Sequence, residues 1–436
     1  MHELKSVLLK IRPNEASERR EWKFANEIIS KLKKQFKGGK VVLAGSFAKG
    51  TFLEGDKDID VFVLFGHGVA KEAMLPIIKA AAENAFPVAD MKIAYAQHPY
   101  LRLFIEGRRV DIVPAYEVGH GRHFELKTPV DRSQLHTTYI LSKMKKAQKD
   151  EVRLLKKFLK SNLLYGAEIR VQGFSGYLCE LLILKYHTFA GAMKAIALWK
   201  GRTFVDIEHG ILPQAGLAKF ESQLVVLDPV DQERNVAAVV SAHSYFSLVI
   251  LARKFLESGN RKKFFQIRHF SEIALKKFAF GRALYCVSFR CDEVVDDVLW
   301  GQVRRFSSSI RETFKKEGFE IVGWEMGKSG AEIQVVLELL NSGACENKLV
   351  LGPPIDFSSD AGKFSNKYPG SFIHEGRIAA VVLRQARTPE KVLEKIKALP
   401  CPSHLHASNA RLYKGAELIR KCGETLGRYA SLRLIV

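Results

Sequence analysis

Cysteine is scarce in this 436-residue chain, and its positions carry neither a metal nor a disulfide signature. Only six cysteines are present, and no two of them have the Cys-x-x-Cys spacing that structural zinc sites use. Scattered cysteines of this kind are typical of a reducing compartment. We therefore expect free thiols and a cytoplasmic protein.

Long apolar runs are also missing. The chain has no stretch of roughly eighteen apolar residues, the length that a membrane-spanning helix needs. The residues from Met1 to Lys5 lack the apolar segment of a secretory signal. We therefore expect no membrane partner.

Acidic residues are in deficit. The chain has 68 Lys and Arg but 47 Asp and Glu, which gives a net charge of +21 and an isoelectric point near 9.6. Such an excess indicates a large polyanionic partner, for which nucleic acid is the usual candidate. The 47% apolar content is enough to bury several cores, so we expect more than one domain.

Two motifs stand close together near the start of the chain. Gly45 and Ser46 form a turn in which the backbone can approach a phosphate and the Ser46 hydroxyl can cap a following helix. Residues 59–65 are rich in β-branched, aromatic and leucine side chains, which predicts a buried strand. Asp58 and Asp60 lie two residues apart along that strand and therefore share one face.

A third carboxylate strengthens the chemistry of this pair. Asp111 lies within the apolar segment 110–114, where an isolated carboxylate needs a cation or hydrogen-bond partners. Neighbouring carboxylates repel each other unless a cation neutralises them, and Mg²⁺ is the usual ion for such oxygen ligands. Asp58, Asp60 and Asp111 together predict a two-metal site for phosphoryl transfer.

The pattern of the remaining chain predicts an α+β protein. The first part combines two helices with a mixed sheet; we predict helices at 14–36 and 71–86 and strands at 40–44, 59–65, 91–96, 100–106 and 110–113. A helical region follows, with helices at 151–160 and 178–189, a turn at 228–231 and a helix that begins at Arg234. The last part has strands at 284–289, 320–326, 331–340 and 377–384 and helices at 297–316 and 388–399. That last order is close to the ferredoxin-like fold, which often holds RNA on its sheet.

At this level of detail the chain resembles the archaeal, class I CCA-adding enzymes, which are tRNA nucleotidyltransferases of the polymerase-beta-like superfamily. The resemblance covers most of the chain and is carried by residues 45–111, 150–182, 228–238 and, more weakly, 294–302. It implies a polymerase-beta-like catalytic domain at 1–139, a helical central domain at 140–256 and a ferredoxin-like or RRM-like tRNA-binding region at 257–436.

The resemblance also assigns residues to roles. It implies that Asp58, Asp60 and Asp111 are catalytic and hold the Mg²⁺ ions. It implies that a second set binds the nucleotide, namely Gly45, Ser46, Lys49, His98, His136, Lys156, Tyr165 and Arg234. Within this set, Arg234 matches the position that reads the base. The family usually has Glu where this chain has Asp58 and Arg where it has Lys49, but the charges are kept in both cases.

The implied activity is the template-independent addition of C, C and A to the 3′ end of tRNA. The substrates are CTP and ATP, and pyrophosphate is released. Two alternatives stay open: a poly(A) polymerase or other terminal nucleotidyltransferase, and an inactive RNA-binding relative. The sequence also leaves open whether the protein is a monomer or a homodimer.

Overall fold

The computed structural model describes residues 2–36, 38–95, 98–119, 126–208, 219–343, 346–383 and 386–434. The chain divides into two compact units, one containing the residues up to Arg268 and one containing nearly all of the remainder. None of the helices in the described ranges is long and apolar enough to cross a membrane.

The first unit combines a mixed sheet with a helical layer and a small second sheet. Its helices are α1 (His2–Ile11), α2 (Glu15–Gln35), α3 (Gly45–Lys49), α4 (Lys71–Ala85), α5 (Arg132–Lys143), α6 (Lys146–Ser161), α7 (Gly176–Tyr186), α8 (Phe189–Ala197), α9 (Ala242–Glu257) and a 3₁₀ helix (Arg261–Phe265). Its strands are β1 (Gly39–Leu43), β2 (Asp58–Phe65), β3 (Asp90–Tyr95), β4 (Pro99–Ile105), β5 (Arg108–Tyr116), β6 (Thr203–Val205), β7 (Leu224–Asp228) and β8 (Asp231–Asn235).

The main sheet has the strand order β1-β2-β5-β4-β3. Strands β2 and β5 are parallel, and the other neighbours are antiparallel, which confirms the predicted mixed sheet. The predicted strands and helices of this region are all present, although β5 extends to Tyr116 and Ala96 lies outside the described residues. Helices α2 and α4 pack their apolar side chains, such as Ile28 and Ile78, against buried sheet residues such as Ile112.

Aromatic side chains form the core of the helical layer. Phe158 of α6 lies against Phe189 of α8 and Phe255 of α9, with ring centroids 5.7 Å apart in both cases. Phe264 and Phe265 of the 3₁₀ helix complete this cluster. All five rings are buried, so α6, α8 and α9 are fixed against one another.

One predicted element in the first unit is wrong. Arg234 does not begin a helix; it lies in the short strand β8, which pairs antiparallel with β7. The Asn235 side chain donates to Leu224 O and accepts from Val226 N, so it replaces part of the backbone ladder. The predicted turn at 228–231 is the tip of this hairpin, and the next helix begins only at Ala242.

The second unit contains two sheets and five helices within its described residues. Its helices are α10 (Glu272–Ala279), α11 (Asp296–Lys316), α12 (Ser358–Lys367), α13 (Pro389–Lys397) and α14 (Gly415–Arg433). Its strands are β9 (Ala283–Cys291), β10 (Ile321–Ser329), β11 (Glu332–Leu339), β12 (Asn347–Pro354), β13 (Phe372–His374), β14 (Arg377–Leu383) and β15 (Leu405–Lys414).

The larger sheet of this unit has the order β10-β11-β9-β15, with every pair antiparallel. This is a ferredoxin-like arrangement, as predicted, but its fourth strand is β15 and not the strand predicted at 377–384, which lies in a second sheet. The long connection between β11 and α13 carries its own sheet, β12-β14-β13, together with α12; of these elements the sequence pattern predicts only β14. The strand predicted at 377–384 is β14, which ends at Leu383, and Arg384 lies outside the described residues.

Helices cover both faces of the larger sheet. Cys286 and Val336 pack with Leu426 of α14 on one face. On the opposite face, Val287 and Val335 pack in one core with α11 and α13. The helix at 388–399, predicted as the last one, is followed by β15 and by α14, which covers the first of these faces.

Candidate active site

The three predicted carboxylates lie on two adjacent strands. Because β2 and β5 are parallel and in register, Asp60 pairs directly with Asp111. Asp58 lies two residues earlier on β2, opposite Arg109. Asp58 is more than half exposed, whereas the Asp111 side chain is nearly buried. The sheet therefore brings the predicted trio to one place, with one carboxylate at the solvent edge.

The environment of Asp60 disfavours its charge. Burial, together with repulsion from the carboxylates of Asp111 and Asp58, raises the pKa of Asp60 to about 6. Burial also raises the pKa of Asp58, although the Arg109 guanidinium opposes that shift. Side chains that repel one another in this way favour a bound cation, because a cation removes the repulsion.

Two arginines hold the carboxylates on either side of Asp60. Arg102 of β4 grips both oxygens of Asp111, with its Nε 2.8 Å from Oδ1 and its Nη2 2.9 Å from Oδ2. Arg109 Nη2 lies 2.9 Å from Asp58 Oδ2. Within the described ranges, no three His, Cys, Asp or Glu side chains are already arranged to hold one ion. Ion binding would therefore require these two arginines to shift or to share their carboxylates.

The glycine turn lies against this trio. Gly45 has φ +63°, and a Cβ built on it would lie 1.9 Å from Asp60 Oδ2. Only glycine fits here, because both the backbone angle and the contact exclude a side chain. The predicted capping role of Ser46 is wrong, because Ala44 occupies the N-cap of the five-residue helix α3 and Ser46 lies within its first turn.

A buried ion network begins at the other end of α3. Lys49 Nζ lies 2.5 Å from Glu180 Oε2, and the Thr51 hydroxyl donates to Glu180 Oε1 at 2.7 Å. Lys156 Nζ donates to the Thr51 hydroxyl at 3.1 Å and lies 3.7 Å from Glu180. Burial alone would raise the pKa of Glu180, but the two ammonium groups hold it below its ordinary value. Burial lowers the pKa of Lys156.

A second buried carboxylate, Asp228 at the end of β7, forms hydrogen bonds with three side chains. His136 Nε2 and Arg234 Nη1 lie 2.8 and 2.7 Å from its Oδ2, and the Tyr177 hydroxyl donates to its Oδ1 at 3.0 Å. We call these four residues the Asp228 cluster. Burial would raise the pKa of Asp228, but the hydrogen bonds from His136 and Arg234 hold it below its ordinary value.

Tyr177 connects the cluster to the ion network. Its ring stacks on His136 with centroids 3.9 Å apart, and Lys49 Nζ lies 5.6 Å from the same ring. Tyr165 and Lys156 both lie close to Gly176. A Cβ built on Gly176 would be 3.0 Å from the Tyr165 hydroxyl and 3.5 Å from Lys156 Cε. Burial raises the pKa of Tyr165 well above its ordinary value.

Comparisons with known proteins agree with this arrangement. Three family models match: a nucleotidyltransferase domain at residues 25–136, the second domain of tRNA nucleotidyltransferase at 150–266, and the C-terminal domain of the CCA-adding enzyme at 280–408. The CCA-adding enzyme of Methanosarcina barkeri is 30% identical over 96% of this chain and 93% of its own. Those of Archaeoglobus fulgidus and Methanoregula boonei are 35% and 34% identical over 81% and 79% of this chain and 80% and 75% of theirs. The chain belongs to the CCA-adding enzymes. It is therefore a nucleotidyltransferase with an α+β fold, as the resemblance implies.

Within this CCA-adding enzyme, His98 stands apart from the other predicted nucleotide-binding residues. It is buried, and neither ring nitrogen has a hydrogen-bond partner among the described residues. Burial lowers the pKa of His98, and the nearby Lys71 ammonium lowers it further. Such a ring is neutral at pH 7 and keeps one donor and one acceptor for a ligand.

Sequence reasoning missed several partners of the predicted residues. Glu180 and Asp228 fix Lys49, His136 and Arg234, yet neither is among the predicted site residues. A signal for Glu180 is present, since it is the lone charge in the otherwise apolar first half of α7. Asp228 resembles an ordinary turn residue in the sequence, and only the fold shows that it is fully buried.

Proposed function

We propose that this CCA-adding enzyme adds C, C and A to the 3′ end of tRNA from CTP and ATP, without a nucleic-acid template, and releases pyrophosphate. A single site carries out all three additions. The observation that supports this most is the in-register pairing of Asp60 with Asp111, with Gly45 packed against Asp60. Family membership supports the choice of tRNA, CTP and ATP.

The carboxylates supply the metal ligands. Asp58, Asp60 and Asp111 are hard oxygen donors on adjacent strands; burial, and after it the repulsion from Asp111 and Asp58, raises the pKa of Asp60, and a divalent cation would relieve that repulsion. Bound Mg²⁺ ions would activate the 3′ hydroxyl and neutralise charge on the triphosphate. If their carboxylates held Mg²⁺, Arg102 and Arg109 would be available to nearby phosphate oxygens, for which guanidinium groups are well suited.

The remaining predicted residues position the nucleotide. Gly45 and Ser46 supply backbone N–H groups and a hydroxyl next to the carboxylates. Lys49 and Lys156 add positive charge behind that turn, anchored by Glu180. His136, Tyr165 and the neutral His98 supply polar groups for the ribose and phosphates. Each of these roles rests on the family resemblance and on the polar groups described above.

Arg234 reads the base. Its Nη1 is held by Asp228, so its orientation is fixed while Nη2 and Nε provide further donors. Cytosine and adenine both present a ring-nitrogen acceptor where uracil and guanine present a donor. A fixed guanidinium therefore accepts the first two bases and opposes the other two, which would leave buried donors unpaired.

The partners and location follow from the same proposal. The net charge of +21 suits tRNA as the polyanionic partner, and a tRNA substrate together with free thiols at all five cysteines that the structure describes suits the cytoplasm. A homodimer stays a prediction.

Incubation of the protein with tRNA that lacks its CCA end, with one labelled nucleotide at a time, tests the proposal. We expect CTP to be incorporated on this tRNA and ATP only on tRNA that already ends in CC. Processive incorporation of ATP alone would instead indicate a poly(A) polymerase. Binding of tRNA without any incorporation would indicate an inactive relative.

A further inference from the structure

The second unit cannot hold RNA across its larger sheet. Both faces of that sheet are covered, one by α10 and α14 and the other by α11 and α13. An RNA-binding surface of the RRM kind needs an open face with exposed aromatic rings. Any RNA contact of this sheet must therefore come from its edges or ends.

One end of the sheet, on the edge strand β15, is open. His406 pairs with Arg290 and Arg411 pairs with Ser288, so residues 407–410 of β15 face the single Phe289 of β9. The extra residues form a bulge, and bulges commonly redirect side chains at functional edges. Ser408 and Asn409 of the bulge are exposed, as are Arg290 and Arg411 beside it.

These side chains line a cavity of about 400 Å³. We call it the basic corner and define it by the polar residues that carry the argument, which are Arg290, Lys397, Ser408, Asn409 and Arg411. Glu332 is the one acidic residue in its wall, and it accepts a hydrogen bond from the Ser288 hydroxyl at 2.7 Å. Lys397 already pairs with Glu394. The attraction of the cavity for an anion therefore comes mainly from the guanidinium groups of Arg290 and Arg411 against the one carboxylate of Glu332.

We propose that the basic corner binds a phosphate of the RNA backbone. Arg290 and Arg411 occupy diagonal positions on β9 and β15 and line the same cavity, so one phosphate there can contact both guanidinium groups. The Ser408 hydroxyl and Asn409 amide add donors. The aromatic ring in its wall, Phe289, is fully buried and cannot stack on a base. The contact is therefore independent of base sequence and positions tRNA rather than selecting it. This inference rests on the proposal that tRNA is the substrate.

The test is the salt dependence of tRNA binding, measured without nucleotide. Replacing both arginines, in an Arg290→Gln and Arg411→Gln double variant, should lower the slope of log affinity against log salt by about one. We expect binding at ~0.1 M salt to weaken roughly three- to tenfold, while the KM for CTP is unchanged. The double variant Arg290→Lys and Arg411→Lys keeps both charges and should retain most of the slope of log affinity against log salt. Arg305→Gln, an exposed arginine of α11, is the matched control.

An unchanged slope in the double glutamine variant, at unchanged thermal stability, would overturn the inference. Binding of millimolar inorganic phosphate at the basic corner that leaves tRNA binding intact would also overturn it. The basic corner would then be a site for small anions and not for the RNA backbone. A further outcome is a lower slope in the double glutamine variant while the unsubstituted protein adds no nucleotide to tRNA. That result would support RNA binding at the basic corner and reject the proposed activity.

Discussion

Three of the proposed nucleotide-binding side chains, Lys49, His136 and Arg234, are held by buried carboxylates. Asp228 holds Arg234, His136 and Tyr177 at once, and Glu180 holds Lys49 near Lys156. A buried carboxylate is stable only when it is fully paired, so these contacts are strongly determined. Arginine and lysine side chains are otherwise flexible, and anchoring them lowers the entropy lost when a nucleotide binds.

Asp60→Asn should abolish nucleotide transfer and leave tRNA binding nearly unchanged. The substitution keeps the shape of the side chain but removes the negative charge that a divalent ion needs. Binding depends instead on the basic surface. Single-turnover incorporation of labelled CTP, beside a filter-binding titration of tRNA, measures both. Near-normal incorporation would show that Asp60 is not a metal ligand.

The same variant should change the pH dependence of stability in the absence of divalent ions. The pKa of Asp60 is raised to about 6 from its ordinary value near 3.9 in the unfolded chain. The folded state therefore binds more protons between these values, and the native protein loses stability as the pH rises from about 4 to 6. This loss is at most about 3 kcal/mol. Thermal unfolding in chelator should show that Asp60→Asn lacks it; a loss of equal size in the variant would contradict this.

Arg234→Ala should weaken the selection of CTP and ATP over UTP and GTP by about tenfold or more. Asp228→Asn should act in the same direction, because its weaker acceptor no longer fixes Arg234. Asp231 pairs with Arg132 and not with Arg234, so Asp231→Asn is the control and should keep full discrimination among the nucleotides. Competition among the four nucleotides on tRNA without its CCA end measures the effect. Unaltered discrimination in Arg234→Ala would move base reading to other residues.

At the scale of elements, the active site depends on two connections: the parallel pairing of β2 with β5, and the turn between β1 and α3. The first aligns Asp60 with Asp111, and the second presses Gly45 against Asp60. The sequence signals, namely apolar strands with isolated Asp residues and a Gly-Ser pair after a strand, predict the carboxylate trio on neighbouring strands and the turn. The parallel pairing that brings Asp60 opposite Asp111 comes from the fold and could not be predicted from local pattern.

Gly45→Ala tests how tightly the second connection is built. The alanine would face both a positive φ and a Cβ contact of 1.9 Å with Asp60 Oδ2, so we expect destabilisation of more than ~1 kcal/mol and a large loss of transfer. Gly55→Ala is the matched control, because φ is +82° there but no atom lies within 4 Å of the added Cβ. It should lose some stability and keep its activity. Equal activity in the two variants would show that the contact with Asp60 is unimportant.

The base-reading half could not be predicted from the sequence in the same way. Strand β8 contains Asp231, Glu233 and Arg234 but no β-branched residue, so its composition favours a helix. The hairpin forms because the Asn235 side chain supplies hydrogen bonds that the backbone ladder would otherwise make. Strand β15 was missed for a related reason, since its bulge interrupts the alternation of apolar and polar residues. Tertiary contacts decide both elements.

At the scale of the whole molecule, charge and family membership point to one substrate. The first unit carries the carboxylate trio and the Asp228 cluster, and the second carries the basic corner on a sheet whose faces are closed. Among the described residues, the larger sheet of the second unit has both faces covered and so offers no open aromatic platform of the kind that reads RNA sequence. We therefore expect recognition of tRNA through its shape and backbone, with base choice confined to the incoming nucleotide.

The most direct test of this account is the sequence of the added nucleotides. Transfer RNA that lacks its CCA end should be incubated with the protein, Mg²⁺ and all four nucleotides, and the 3′ ends should then be sequenced. The account predicts the addition of C, C and A followed by a stop, and no addition by the Asp111→Asn variant. A homopolymeric tail, the incorporation of U or G, or unchanged ends would contradict it.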